Sequence, residues 1–342
     1  MKKKRPTIRD VAKLAGVAAI TVSRVINNSG YTSDETRDRV ERAIAELNYI
    51  PNSLSQSLRF QTTNTVALIV SDITNPFWTT ITRGVEDVCN DHDLHVILCN
   101  TDEKEAKLSK YVNMLLQRQT DGFILVPTSA ASINNVTTIL QKHVPLVILD
   151  RQLPQVDVDI VRGDSVEGAY QLTRYLIELG HQRIAMFSGP IEISTSEQRI
   201  EGYKRALQEA DIAIDDELIT FSGYTEAGGR KMALHMLGNV QPTPTALFAA
   251  NNFIAVGILR ALYQLELRVP QDISVVSFDD LPFDTLPEPF LTVVAQAPYE
   301  LGMKAAELLI GRISGERTHT EEITLPVEVI VRKSCAPPKS QI

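Results

Sequence analysis

The chain has only three cysteines in 342 residues, Cys89, Cys99 and Cys335. An odd, widely spaced set builds neither a disulfide framework nor a zinc site, so the three read as structural thiols that pack as small hydrophobes. No apolar run approaches the roughly 20 residues that a membrane helix needs. The Lys2-Lys3-Lys4-Arg5 start leads into a polar segment instead of the apolar core of a signal peptide, so a cytoplasmic protein is expected. Enzyme signatures are missing as well. No Gly-x-Gly-x-x-Gly follows a first strand, and there is neither a Gly-Lys-Ser/Thr phosphate loop nor a Gly-x-Ser-x-Gly elbow. The six histidines, His92, His95, His143, His181, His235 and His319, are scattered without metal-ligand spacing. No catalytic residue, metal or cofactor is therefore expected.

What the chain does have begins at residue 7. Thr7 can start a helix, with Asp10 reaching back toward the first turn, and Ile8, Val11, Ala12 and Ala15 line one face. Gly16 sits where that helix must stop and turn, because it accepts backbone angles that a side chain resists, and Val17 can plug the angle. A second helix then points Val22, Val25 and Ile26 inward. Its other face shows Ala19, Ile20, Ser23 and Arg24, with Thr21 at the margin. Thr32-Ser33-Asp34-Glu35 reads as a capping box for a third helix, whose stripe of Val40, Ala43, Ile44 and Leu47 closes a small core. This spacing predicts an all-α helix-turn-helix whose second helix enters a major groove.

Charge separates that reading from an ordinary helical bundle. Residues 1–61 carry 11 Lys and Arg against 6 acids, a surplus of five in a chain whose net charge is −8. A basic module on an acidic body suits phosphate binding confined to one end. In the groove, Arg24 is the residue suited to guanine O6 and N7, whereas Ala19 and Ile20 offer apolar contact to thymine methyls.

Three stretches make a resemblance specific: Thr7-Ile-x-Asp-Val-Ala-x-x-Ala-Gly-Val17, Thr21-Val-Ser-Arg-Val-Ile-Asn27 and Glu46-Leu-Asn-Tyr-Ile-Pro-Asn52. The chain resembles the lactose/galactose repressor (LacI/GalR) family of bacterial transcription regulators along nearly its whole length. The resemblance implies a pseudo-palindromic double-stranded DNA operator as partner, contacted by Thr7, Ala19, Ile20, Thr21, Ser23, Arg24, Asn28 and Tyr49. It also implies that residues 50–63 form a hinge helix whose Leu58 enters the minor groove beside Ser55. A helix this short is marginal in water and would order only against a partner. Three positions at this end depart from the family pattern. Ala18 replaces the serine that usually caps the recognition helix, and Ser55-Gln56 replaces the Ala-Arg of many members.

From Thr65 the chain alternates short apolar strands, at residues 66–72, 95–100, 122–127, 145–150, 183–189, 245–251 and 273–280, with amphipathic helices. That rhythm predicts parallel sheets, and there are too many strands for one unit. The expected fold is an N-terminal all-α helix-turn-helix domain plus an α/β periplasmic-binding-protein-like body of two doubly wound parallel-sheet subdomains. The expected domains are 1–49 for DNA binding, 50–63 as hinge and linker, and 64–342 for effector binding and dimerisation. Within the body, one subdomain takes about 64–163 and 296–325, the other about 164–295 and 326–342.

Open parallel sheets bind ligands beyond the carboxyl ends of their strands. Asp150, Asn251 and Asp279 follow apolar runs there, and Phe77 and Trp78 could stack on a ring. By resemblance, Phe77, Trp78, Asp150, Thr195, Arg199, Tyr224, Asn251, Asp279 and Gln296 line an effector site. Aromatic faces, two carboxylates and an arginine suit a polyhydroxyl ligand, so a sugar is the first expectation. A nucleobase or nucleoside is the second, disfavoured by Ile193, which stands where a purine-binding member has arginine. Asn252 is a further departure, since most members carry aspartate there. A sensor or sugar-processing protein without sequence-specific DNA binding is the alternative from another class, Asp150 and Asp279 serving as acid and base. The C-terminus lacks leucine heptads, so the expected assembly is a homodimer, gated by the small molecule under either inducer or corepressor logic.

Overall fold

A computed structural model describes residues 6–50, 62–154, 156–281 and 289–339. The chain divides between Thr63 and Asn64 into two compact units. The expected hinge segment, with Ser55 and Leu58, lies almost wholly outside the described residues.

The first unit holds three helices, α1 (Ile8–Ala15), α2 (Ala19–Ile26) and α3 (Asp34–Leu47). Val11, Ala12, Ala15, Val22, Val25, Val40 and Ala43 are buried together at its centre. Gly16 ends α1 with φ at +66°, and the Val17 amide donates to the Ala12 carbonyl at 3.0 Å. A left-handed residue at this position costs glycine nothing, which is why the turn falls here. The first turn of α1 is closed by Asp10, whose carboxylate accepts from both the Thr7 amide at 2.8 Å and the Thr7 hydroxyl at 2.7 Å. The expected cap of α3 is one residue out of place. Ser33, not Thr32, stands at the helix start, and its hydroxyl donates to Thr36 Oγ1 at 2.9 Å, so Glu35 closes no capping box.

The second unit contains two six-stranded sheets. The first runs β11-β5-β4-β3-β1-β2, from β1 (Thr65–Val70), β2 (His95–Asn100), β3 (Gly122–Leu125), β4 (Leu146–Leu149), β5 (Asp159–Gly163) and β11 (Glu322–Leu325). The second runs β12-β10-β9-β8-β6-β7, from β6 (Ile184–Ser188), β7 (Ile219–Phe221), β8 (Ala246–Ala249), β9 (Ser274–Phe278), β10 (Thr292–Ala295) and β12 (Glu328–Ile330). All pairings are parallel except β10 with β12. The chain leaves the first sheet after Gly163, returns after Ala295, and leaves again after Leu325. Both faces of the first sheet are covered by separate apolar layers, one around Trp78, Ile81 and Leu301 and the other around Leu108, Phe123 and Ile139. Phe187, Tyr203, Phe248 and Phe278 anchor the core of the second. Helices on both faces force every chemically useful side chain to the strand ends. Among the described residues no helix is long and apolar enough to cross a membrane.

Candidate functional site

The carboxyl ends of strands from both sheets open on a cavity of about 250 Å³. Asp150 follows β4 and Asp279 follows β9, and their backbones are alike: φ is +67° and +63°, in the left-handed region. The Asp150 amide donates to Val161 on the neighbouring strand at 2.7 Å, and the Asp279 amide donates to Val294 at 2.9 Å. Each sheet therefore holds one aspartate in a strained turn at the cavity, a conformation aspartate tolerates better than most residues. Burial pushes the Asp279 carboxyl up to about 6, against the opposing pull of Arg199 and the Gln296 hydrogen bond. Burial also raises Asp150, opposed by Arg151 and Arg199.

Two buried arginines face these carboxylates. Arg199 lies on the helix Ser194–Glu209, donates to the Ala250 carbonyl, stacks 3.8 Å above the Phe278 ring and comes within 3.8 Å of Asp279. Arg151 is clamped by Glu103 through two bonds of 2.7 and 2.6 Å and by the Pro127 carbonyl at 2.6 Å. Burial opposes its charge, but the Glu103 carboxylate outweighs that and holds the guanidinium firmly protonated. The Nε atoms of both arginines are buried without a hydrogen-bond partner, that of Arg151 lying 3.9 Å from the Asp150 carboxylate. A buried donor left this way costs about 1 to 3 kcal/mol, so both sites favour an incoming acceptor.

The walls are aromatic. Phe77 and Trp78 start the helix Pro76–Asp91, pack edge to face at 4.9 Å, and line the cavity while closing the core behind it. Tyr224 covers Gly189, and its hydroxyl meets Ser196 at 2.7 Å and Thr195 at 3.3 Å. Thr195 and Asn251 complete the expected lining, with the Asn251 side chain capping the helix Asn252–Gln264 by accepting from Ile254 at 2.9 Å. Gln296 is placed differently from the rest. It does not line the cavity but lies behind Asp279, donating to Oδ1 at 2.6 Å. Its own Oε1 is buried without a partner.

Nine lining residues lie outside the expected set: Ser71, Asp72, Asn75, Asp102, Glu103, Arg151, Pro190, Gly223 and Thr225. A signal for four of them was available, since Asp72, Asp102, Glu103 and Arg151 lie two or three residues beyond the ends of β1, β2 and β4. Together the lining holds five carboxylates, Asp72, Asp102, Glu103, Asp150 and Asp279, against the guanidiniums of Arg151 and Arg199. Among the described residues no cluster of His, Cys, Asp or Glu is arranged to hold a metal ion.

Two polar seams join the subdomains across the cleft. Asn75 and Asn252 exchange hydrogen bonds, and on the other side Gln152 donates its amide to Ser194 Oγ at 2.8 Å and accepts from Gln198 at 2.6 Å.

On the first unit, Ile20 is 55 % exposed and Arg24 is exposed beside it, with Thr21 and Ser23 half-buried. Ala19 is half-buried as well and packs against the helical core. Thr7 is exposed and held by Asp10, Asn28 accepts from Arg37 at 3.2 Å, and Tyr49 packs on the core. Residues 6–50 carry as many acidic as basic side chains, so the positive surplus of this end resides in Lys2, Lys3, Lys4, Arg5 and Arg59.

Comparison with known proteins gives one consistent result. Residues 7–52 match the bacterial regulatory proteins of the lacI family, and residues 63–333 match the periplasmic binding proteins and sugar binding domain of that family. The ribose operon repressor of Escherichia coli strain K12 is 36 % identical over 330 residues, covering 96 % of this chain and 99 % of its own. The lac repressor dimer, solved with operator and the anti-inducer ONPF, superposes with a TM-score of 0.85 at 28 % identity, covering 97 % of this chain and 100 % of that one. A regulator from Enterococcus faecium with bound ribose gives 0.71 at 33 % identity over 80 % of this chain and all of that one. The regulator CelR, solved with cellobiose, gives 0.73 at 33 % identity over 96 % of this chain and all of its own.

Proposed function

The chain belongs to the LacI family of bacterial regulatory proteins and is a ligand-controlled DNA-binding repressor, not an enzyme; from that premise we propose that its effector is a single, uncharged sugar ring held in the cleft between the two sheets. The observation that carries this reading is the pair of buried Nε–H groups on Arg151 and Arg199 that make no hydrogen bond, set among carboxylates. A sugar hydroxyl accepts from an Nε–H and donates to a carboxylate, which no ligand made only of donors or only of acceptors can do. The carboxylate surplus repels a phosphate ester, and the Phe77 and Trp78 rings suit the C–H face of a sugar. A cavity of about 250 Å³ is small beside the sites of drug-sized ligands, which favours one ring over two.

Residues 1–49 would read DNA, 50–63 link, and 64–342 bind the effector and pair two copies, acting in the cytoplasm. Arg24 would read guanine, with Ile20, Thr21 and Ser23 beside it, in each half-site of a pseudo-palindrome. The ligand acts only if it favours one arrangement of the subdomains over the other.

The test is a calorimetric titration of the full-length protein with D-ribose, D-ribose 5-phosphate, cellobiose and hypoxanthine, followed by operator binding with and without the ligand that binds. D-Ribose is expected to bind, with the phosphate ester at least tenfold weaker. Preference for the phosphate ester, the disaccharide or the base would overturn the assignment.

A further inference from the structure

Arg151 is held by two loops, and one half-buried carboxylate ties those loops together. Glu105 begins the helix Glu105–Gln117 and accepts from Ser132 Oγ at 2.7 Å, from Asn135 Nδ2 at 2.6 Å and from the Thr128 hydroxyl. Asn135 also donates to Ser109 at 3.0 Å, and the Thr128 amide donates to Ser132 Oγ at 3.0 Å. The segment after β3 is thereby fixed to the start of that helix. Pro127, one residue before Thr128, supplies the carbonyl that takes Arg151 Nη1, and Glu103, two residues before Glu105, takes Nη1 and Nη2. Nε makes no hydrogen bond and lies 3.9 Å from the Asp150 carboxylate, so the fork's orientation decides where it points. Among the described residues Glu105 makes no hydrogen bond to Arg151.

We propose that Glu105 is a positioning residue for effector binding, aligning Arg151 by holding the Pro127 and Glu103 loops in register. This rests on the reading of the cleft as the effector site. A carboxylate suits the role because it accepts from three donors at once on two oxygens. It also lies at a helix N-terminus, where its charge is favoured without a cation. A guanidinium gripped at both ends is sensitive to small loop shifts, whereas a lysine ammonium in its place has no fork to misalign.

The experiment is a double-mutant cycle read by D-ribose calorimetry on the full-length protein. Glu105→Ala is expected to weaken binding about tenfold with Arg151 present and less than twofold in Arg151→Lys, the non-additivity expected of coupled groups. Glu105→Gln should retain most of the affinity, since its carbonyl still accepts from the Ser132 and Thr128 hydroxyls. Equal losses in both backgrounds would reduce Glu105 to general support of the subdomain and overturn the proposal. Failure of the wild type to bind D-ribose would fault the ligand assignment alone. The same cycle is then read on urea unfolding without ligand, where non-additive midpoints support transmission through the loops and additive ones overturn it.

Discussion

Asn75 and Asn252 exchange two hydrogen bonds of 3.0 Å across the cleft, each amide donating to the other's carbonyl oxygen. Each oxygen also accepts from its own helix start, Phe77 at 3.0 Å and Phe253 at 2.8 Å. The pair therefore joins the first turns of two helices from different subdomains, with no charge involved. Asn252→Ala leaves the Asn75 amide buried without its partner, a penalty of about 1 to 3 kcal/mol confined to the closed arrangement. Effector affinity should fall roughly tenfold by calorimetry. A loss of thermal stability with affinity intact would place the pair in folding and not in closure.

Asp279 should make stability depend on pH in an identifiable window. Its carboxyl is raised by burial from 3.8 to about 6, so the folded chain holds a proton that the unfolded chain releases. That contribution is full below pH 4 and is lost as pH rises through 6, with a magnitude of roughly 2 to 3 kcal/mol. His181 opposes it: burial lowers its pKa, so its contribution is present above the unfolded value and lost as pH falls. The comparison that isolates Asp279 is wild type against Asp279→Asn in urea unfolding from pH 4 to pH 8. The wild type should lose stability relative to the variant as pH rises, and parallel curves would mean that Asp279 stays ionised throughout.

The parts of the fold that were legible in the sequence are those whose residues carry their own periodicity. Val66 to Val70 and Ile184 to Phe187 are continuous apolar runs, and the turn at Gly16 is marked by the one residue that reverses the chain freely. The unmarked strands lie at or near the sheet edges. β7 spans only Ile219–Phe221 with its last residue exposed, and β11 and β12 are short and only partly buried, so no alternation builds up. Within the cleft, looking beyond strand ends identified Asp150 and Asp279. Arg151, also just past a strand end, is set in place by Glu103 and the Pro127 carbonyl, partners that tertiary packing alone brings together. Gln296 lies behind Asp279 and outside the cavity lining, a placement that nothing in the sequence marks.

Tyr224 should be displaced by a single methyl group. A Cβ built at Gly189 would lie 2.2 Å from the Tyr224 ring, far inside van der Waals contact. Gly189→Ala must push the ring away from Ser196 and Thr195, remove one wall of the cleft, and strain the turn after β6. Overpacking of this kind costs about 1 to 3 kcal/mol. The expected result is a lower melting temperature together with a lost effector response, while operator binding without ligand persists. An unchanged effector response would mean that the ring has room to slide without leaving the site.

The start of α2 offers a gain instead of a loss. Ala18 holds the extended backbone of a cap, with ψ at 150°, and its carbonyl already accepts from Thr21 at 2.9 Å, but its side chain caps nothing. The first amides of α2 are thus left to water at the end of the helix expected to enter the groove. Ala18→Ser places a hydroxyl in reach of them with no change of backbone, which should stabilise the unit by about 1 kcal/mol. Ala18→Gly, which permits the same backbone without the acceptor, should not. Hydrogen exchange of the α2 amides in the full-length protein reads the difference directly. If serine slows exchange and tightens operator binding by a similar factor, fraying of α2 limits recognition; if it slows exchange alone, the helix is already formed whenever DNA is met.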